Sequence, residues 1–322
     1  MFEKVQQKCQ TKMESIKASF QSWEAFQRAI ETDETAHGRT EERTIWKNED
    51  LDLTPPKGWT WGWYDYAAFW WSYGFSTGVW SVGSSMVALG LNSWQAIICV
   101  FISHTLGAIA ISLHSRAGAK WHFGFPVECR VSWGMYASFF PIAVRLLVGL
   151  IWNAVQCLQG GFFTSILLRC IFGYKWHNIP AGFPASADIT VQRLVGMILF
   201  VFLTSPLLYL PPSKMRRLFT IKSIILPPVV IGLFAFCIVK GREAGFNPGR
   251  FTATKPLSGS TLAWVMLSAI NSCMGKTSTQ AVNQTDLSRY ARTATAPFWS
   301  QLIALPFGNT LCAALGIFAT SV

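Results

Sequence analysis

The sequence predicts an all-α membrane protein that crosses the bilayer about seven times. Three observations carry this. Hydrophobic residues make up 51% of the 322 residues and charged residues only 13%, about half the share of a soluble domain. Charge is uneven: residues 1–57 hold 9 Lys/Arg and 11 Asp/Glu, whereas residues 58–322 hold 18 and 5. No Asp, Glu, Lys or Arg occurs over the 50 residues from Tyr66 to Ser115, more than twice what one span needs. The strict alternation of a membrane β-barrel is absent, so helices are the default. A net charge of +11 on so apolar a body does not describe a nucleic-acid binder, which would spread it over a polar surface.

Residues 1–57 read as a cytoplasmic tail, with a short amphipathic helix over Ser15–Ile30. The N-terminus lacks the apolar core of a cleavable signal peptide, so the first span directs insertion. Thr54-Pro55-Pro56-Lys57-Gly58 marks the boundary with a transmembrane domain over 58–322.

Span one runs Tyr64–Leu89. The charge-free stretch must then turn, and Gly90-Leu91-Asn92-Ser93 is the natural place. Span two is Trp94–Leu113 and span three Phe139–Leu167. Span four, Leu194–Leu210, is stopped by Pro211-Pro212, and span five, Ile221–Val239, opens near Pro227-Pro228. Span six is Leu262–Val282 and span seven Phe298–Thr320. With the tail inside, inner loops carry nine Lys/Arg and outer loops seven. The cluster Lys214-Met215-Arg216-Arg217 is the strongest vote for that orientation. The chain stops at Val322, at the end of the seventh apolar run, and reads as part of a longer protein.

Eight cysteines at irregular spacing, without a CxxC pair and mostly inside apolar runs, fit neither a disulfide framework nor a zinc site. No GxGxxG, P-loop, nucleophile elbow or HExxH occurs, so no enzyme chemistry is indicated.

Polar groups at bilayer depth are costly and mark pathways. Span one carries Tyr73-Gly74-Phe75-Ser76-Thr77-Gly78 near its middle. Two glycines beside two hydroxyl residues let a helix break and release backbone groups to a ligand. They equally suit a close-packed Gly74-xxx-Gly78 face. In span three, Arg145, Gly149, Trp152 and Gln156 fall on one helical face. A flat indole one turn from a carboxamide suits a planar ligand with amide edges. Ordinary interhelical packing of Trp152 and Gln156 also fits that spacing. Span six carries Ser268, Asn271, Ser272, Gly275, Lys276, Thr277, Ser278, Thr279 and Gln280, too polar for a lipid-facing helix. Its Lys276 reads either as a functional charge or as one snorkelling to the membrane edge. Spans one and six are the first elements of two five-span repeats, and paired broken helices point to a transporter site. His104 in span two reads as a satisfied interior histidine rather than a proton carrier, and the Asn283-Gln284-Thr285 sequon falls at the cytoplasmic end of span six.

These stretches together resemble the nucleobase–cation symporter family 1, in its fungal uracil/allantoin permease branch. The resemblance rests on Asn48-Glu49-Asp50-Leu51, Trp59-Thr60-Trp61, the run Leu89–Ala96, the loop Gly118–Val127, Arg145 with Trp152 and Gln156, Leu218–Lys222, and Asn283–Arg292. All occur in family order from residue 48 onward.

The resemblance implies a LeuT-type inverted-repeat fold, of which this chain holds the first repeat plus two helices of the second. It implies secondary active transport by alternating access of a heterocycle such as uracil, allantoin, uridine or cytosine, with thiamine or nicotinamide riboside as alternatives. Trp152 matches the stacking tryptophan and Gln156 the ring-reading glutamine. Ser76, Thr77 and Gly78 match the break in helix one, and Gly275–Thr277 fall near that in helix six. Trp152, Gln156, Ser76, Thr77, Gly78, Gly275 and Thr277 form the expected substrate site. Arg145, Lys276, Asp286 and Arg289 are the expected gating and coupling residues. No cofactor is expected. The coupling cation is H+, with Na+ as the alternative, and the location is the plasma membrane. Span eight, which completes the family's site, is absent, so this chain alone is expected not to transport. A seven-helix receptor or sensor, or an inactive truncated product, is the competing reading. An inside N-terminus and the lack of DRY and NPxxY motifs speak against a receptor.

Overall fold

The structure is a computed structural model that describes residues 51–180, 182–184, 189–209, 212–245 and 257–320. The Ser15–Ile30 helix and nearly all of the 1–57 tail lie outside the described residues.

The described residues are helical throughout, apart from loops and one isolated bridge between Trp61 and Ala291. Span one is two short helices, α1 (Trp63–Gly74) and α2 (Thr77–Ala88). Gly90, at φ +89°, reverses the chain after α2, a conformation that glycine adopts without a Cβ clash. Helix α3 (Ser93–Trp121) then starts in a capping box, in which Gln95 Oε1 accepts the Asn92 N–H at 3.0 Å. It ends at Trp121, eight residues beyond the expected limit of span two, with His122 as a left-handed C-cap at φ 57°.

A bent helix, α4 (Phe125–Ala137), follows, with Gly134 at φ 81°. Helix α5 (Phe139–Phe172) has 34 residues, about 50 Å. The short α6 (Tyr174–His177) precedes α7 (Val191–Thr204), whose N-cap Thr190 accepts the Arg193 N–H. A 3-10 turn over Ser205–Tyr209 leads to α8 (Pro212–Glu243), which contains Pro227 and Pro228. Span five therefore starts well before those prolines. Helices α9 (Gly259–Val282), α10 (Gln284–Ser288) and α11 (Ala296–Thr320) complete the described chain.

Four of the described helices are long and apolar enough to cross a membrane alone: α3, α5, the Met215–Glu243 part of α8, and α11. The other three expected spans fall short for separate reasons. Span one is broken, α7 has 14 residues, and α9 is diluted by its polar run.

Helix α11 packs against α1, α2 and α3, and α9 against α3, while α5 packs against α7. Small residues set these distances. A methyl at Gly83 would overlap the Ala313 carbonyl, and one at Gly316 the Trp80 carbonyl. Gly161 meets the Met197 backbone and Gly196 the Gly161 carbonyl. In hydrocarbon, such close approach is what holds helices together. One buried network joins three polar side chains of the core: Gln301 Oε1 accepts from Trp70 Nε1 at 2.9 Å and from Gln284 Nε2 at 2.8 Å, while Gln301 Nε2 and the Asn309 amide find no partner among the described residues. The buried thiols of Cys99, Cys273 and Cys312 fill this interior as small apolar groups.

Candidate functional site

The first span breaks at Phe75–Ser76. Phe75 (φ −80°, ψ 75°) ends α1, and Ser76 (φ −138°, ψ 153°) opens α2 in extended backbone. The Ser76 carbonyl accepts the N–H groups of Val79 and Trp80 at 3.0 Å, so the second half starts as a proper helix N-terminus. The helix does break here, and one of the two glycines is also close-packed. Gly74 sits against the Gly308–Asn309 backbone of α11, where a Cβ would overlap, while Gly78 faces Lys276. One glycine packs the helix and the other leaves room at the break.

Lys276 fills that room. Its Nζ donates to Ser76 Oγ at 2.8 Å and lies 5.1 Å from the Tyr73 ring centre. Tyr73 in turn donates its hydroxyl to the Lys276 carbonyl at 3.2 Å. The half-buried ammonium is thus held by a hydroxyl and an aromatic face, and among the described residues no carboxylate pairs with it. This is not a lysine stretched to the membrane edge.

The expected interruption at Gly275–Thr277 is not found. Helix α9 runs through these residues to Val282, and the break falls at Asn283 (φ −110°, ψ 33°). The physical reason is local: side chains here bond back onto their own turn, Ser278 Oγ to the Gly275 carbonyl at 3.1 Å and Thr279 Oγ1 to the Lys276 carbonyl at 3.2 Å. Ser278 and Thr279 are satisfied without unwinding, whereas the buried Thr277 Oγ1 finds no partner among the described residues. Thr277 is a second correction. It is 1% exposed and packed against Gly107 of α3, so its side chain faces away from any space that Lys276 borders. Gly275 is exposed, with open space where a Cβ would be.

Helix α5 carries Arg145, Trp152 and Gln156 on one face. At 100° per residue, Arg145, Trp152, Gln156 and Gln159 fall within an arc of about 60°. The two outer members are anchored. Arg145 donates to Asn283 Oδ1 at 3.0 Å, and Gln159 Oε1 accepts from Thr77 Oγ1 at 3.1 Å. The anchors lie about 21 Å apart along the helix. One holds α5 to the break after α9, and the other holds it to the start of α2. Trp152 and Gln156 lie between them on the same face. Trp152 is 39% exposed and Gln156 is exposed, and neither makes a hydrogen bond among the described residues. Most of α5 is exposed in the same way, its buried residues being Gly160 and Gly161.

Thr77 and Gln159 line a cavity of about 670 Å³ together with Ser81, Phe162, Arg193 and Met197 among others, and Trp152 and Gln156 are not part of that lining. Gln159 was not singled out from the sequence. Its signal was its place one turn beyond Gln156 on the same face. Arg193 lies 5.3 Å above the Phe162 ring here.

Asp286 and Arg289 are at the other end of α9. Asp286 Oδ1 accepts the Phe125 N–H at 2.8 Å and so caps α4. Arg289 Nε donates to Thr54 Oγ1 at 2.7 Å, and its carbonyl meets His122 Nδ1 at 2.9 Å. His122 stacks on Trp59 at 3.8 Å between ring centres. Residues 54–61 are therefore strapped across the ends of α3 and α10. Asn283 is engaged by Arg145, and His104 bonds the Val100 carbonyl of its own helix at 2.8 Å. Among the described residues no cluster of His, Cys, Asp and Glu can hold a metal ion.

Comparison with known proteins agrees with this architecture. Residues 54–322 match the family described as permease for cytosine/purines, uracil, thiamine, allantoin. The uracil permease of Saccharomyces cerevisiae is 30% identical over 275 residues, covering 85% of this chain and 43% of that protein. The uridine permease of the same yeast is 31% identical over 280 residues, again 85% and 43%. An uncharacterized permease of Schizosaccharomyces pombe is 31% identical, over 93% of this chain and 50% of its own. The chain spans about half the length of these curated relatives. Among solved structures, Mhp1, a nucleobase-cation-symport-1 family transporter in a closed conformation with bromovinylhydantoin bound, aligns with a TM-score of 0.61 and 17% identity. The alignment covers 85% of this chain and 55% of Mhp1, which establishes a shared fold.

Proposed function

This chain belongs to the permease family for cytosine/purines, uracil, thiamine and allantoin, and as an integral membrane protein of that family we propose that it forms part of a cation symporter for a nucleobase-like heterocycle. The observation that carries this reading is the α5 face. Trp152 and Gln156 stand unpartnered between two anchors that tie α5 to the break of span one and to the break after α9. A planar ring stacks on the indole, and the Gln156 amide reads its N–H and C=O edge. Thr77 meets α5 at Gln159, Ser76 and Gly78 stand beside it at the break against Lys276, and Gly275 is exposed with open space beside it; we assign all four to the substrate site.

The coupling ion is the proton. The Lys276 ammonium is a fixed positive charge at the break of span one, which leaves a sodium ion no reason to bind beside it. Arg145, Asp286 and Arg289 work as gating contacts, because each ties a break or loop end to a different helix. The tail end is cytoplasmic. In support, Arg216 donates to the Thr60 carbonyl at 2.8 Å, so the basic start of α8 and the segment leading into span one share one end of the bundle. The membrane is the plasma membrane.

The test is uptake of labelled uracil, allantoin, uridine, cytosine, thiamine and nicotinamide riboside by cells that lack their own carriers and express the protein containing this chain. Saturable, pH-dependent uptake of one planar heterocycle, weakened in Trp152→Ala at equal surface amounts, is the expected result. Uptake that follows sodium, or is indifferent to Trp152, overturns the reading.

A further inference from the structure

His114, near the end of α3, stands between two oxygen atoms. Its Nδ1 meets the Ala281 carbonyl of α9, and its Nε2 meets Glu128 Oε1 of α4. The second carboxylate oxygen, Glu128 Oε2, accepts from Thr285 Oγ1 of α10 at 2.9 Å. Four helices therefore converge on one imidazole–carboxylate pair. A carbonyl only accepts, so Nδ1 carries a hydrogen. A neutral imidazole has only one N–H, and an ionised carboxylate has none. The Nε2–Oε1 contact therefore needs one proton more than neutral His114 and ionised Glu128 supply. Imidazole is the more basic of the two by about two pKa units, so that proton sits on the ring.

The surroundings are mixed in sign. Cys129 and Asp286 lie on the elements that carry Glu128 and Thr285, and Asp286 is occupied by the Phe125 N–H. Arg116 and Lys120 flank the pair on α3, with Arg116 over the Phe298 ring of α11 and Lys120 over Trp121. Arg145 of α5 reaches Asn283, two residues beyond Ala281. The His114 and Glu128 side chains are 31% and 19% exposed. A proton can therefore reach them from one end of the bundle while both stay held.

We propose that His114 and Glu128 form a proton-binding site that is closed by the α9–α10 junction. This rests on the transport reading above and gives it a site for the coupling proton. Ala281 and Thr285 bracket the break at Asn283, so movement of that junction strips the pair of its Nδ1 acceptor and its Oε2 donor together. The parted pair is then hydrated, and the extra proton passes to water, leaving neutral imidazole and carboxylate. Return of the junction requires that proton again. The closed end binds one proton more than the open end, so rising pH favours opening, by up to tenfold per pH unit between the two midpoints.

The test labels the histidines with 15N in the chain reconstituted in lipid nanodiscs and reads their ring nitrogens by NMR against pH. The expected result is one of the five histidines doubly protonated at pH 7, lost in His114→Gln. Its midpoint falls by at least one pH unit in Glu128→Gln. Five neutral histidines at pH 7 in the unaltered chain overturn the proposal whether or not either variant folds. In cells expressing the protein that contains this chain, His114→Gln should lose pH-dependent accumulation but keep exchange of labelled for unlabelled substrate. Absent uptake beside an imidazolium at His114 overturns the transport reading alone. PH-dependent uptake that survives His114→Gln overturns the coupling role of the pair alone.

Discussion

The Lys276 ammonium, carried on an unbroken helix, donates a 2.8 Å hydrogen bond to Ser76 Oγ, the hydroxyl of the residue at which the first span is interrupted. The backbone freed at one break is thereby tied to a helix two hundred positions later. A charge-assisted bond of this kind contributes about 1.5–3 kcal/mol. Lys276→Met should cost transport at least tenfold with surface amounts unchanged. Ser76→Ala should cost less, because the Tyr73 ring still faces the ammonium. Uptake assays on both variants check the order, and equal losses would contradict it.

Trp152 offers an aromatic face without a partner. Base–aromatic stacking contributes about 1–3 kcal/mol, so Trp152→Ala should raise the apparent KM by about 5- to 150-fold. Trp152→Phe should recover part of the loss. Competition by a series of planar and puckered analogues provides the measurement, and the planar ones should lose the most.

The two anchors of α5 should act on rate rather than recognition. Arg145→Ala frees Asn283, and Gln159→Ala frees Thr77. Each should lower maximal uptake several-fold and leave the KM within about twofold, since neither bond is offered to the substrate. A KM change as large as that of Trp152→Ala would place these residues in recognition instead.

Gly83 permits α2 to lie on α11, and any side chain there meets the Ala313 carbonyl. Overpacking costs typically about 1–3 kcal/mol. Gly83→Val should lower the thermal unfolding midpoint in detergent, whereas Gly232→Ala, which has open space around it, should not.

The spans were legible because burying apolar length leaves a compositional trace. The charge-free run and Gly90-Leu91-Asn92-Ser93 set the first two spans, and the turn is where the capping box forms. The break in span one was legible in Gly74, Ser76 and Gly78. That in span six was misplaced, because polar side chains bonding their own turn look in sequence like a helix about to open. Thr277 illustrates the same difficulty: which side of α9 meets α3 is decided by Gly107, far away in the chain. His114 and Glu128 gave no signal at all, being fourteen residues apart and on different helices.

Read alone, the sequence determined that this chain crosses a membrane by helices, and which stretches do so. It also determined that an indole and an amide share one face of the third span. Those are properties of hydrophobicity and of a 3.6-residue period, and both are local. Only the tertiary structure decided that Lys276 meets Ser76, that Gln159 rather than Gln156 touches Thr77, and that α9 continues to Asn283. These depend on how closely helices approach, and that distance is set by glycines and alanines whose partners lie elsewhere in the chain.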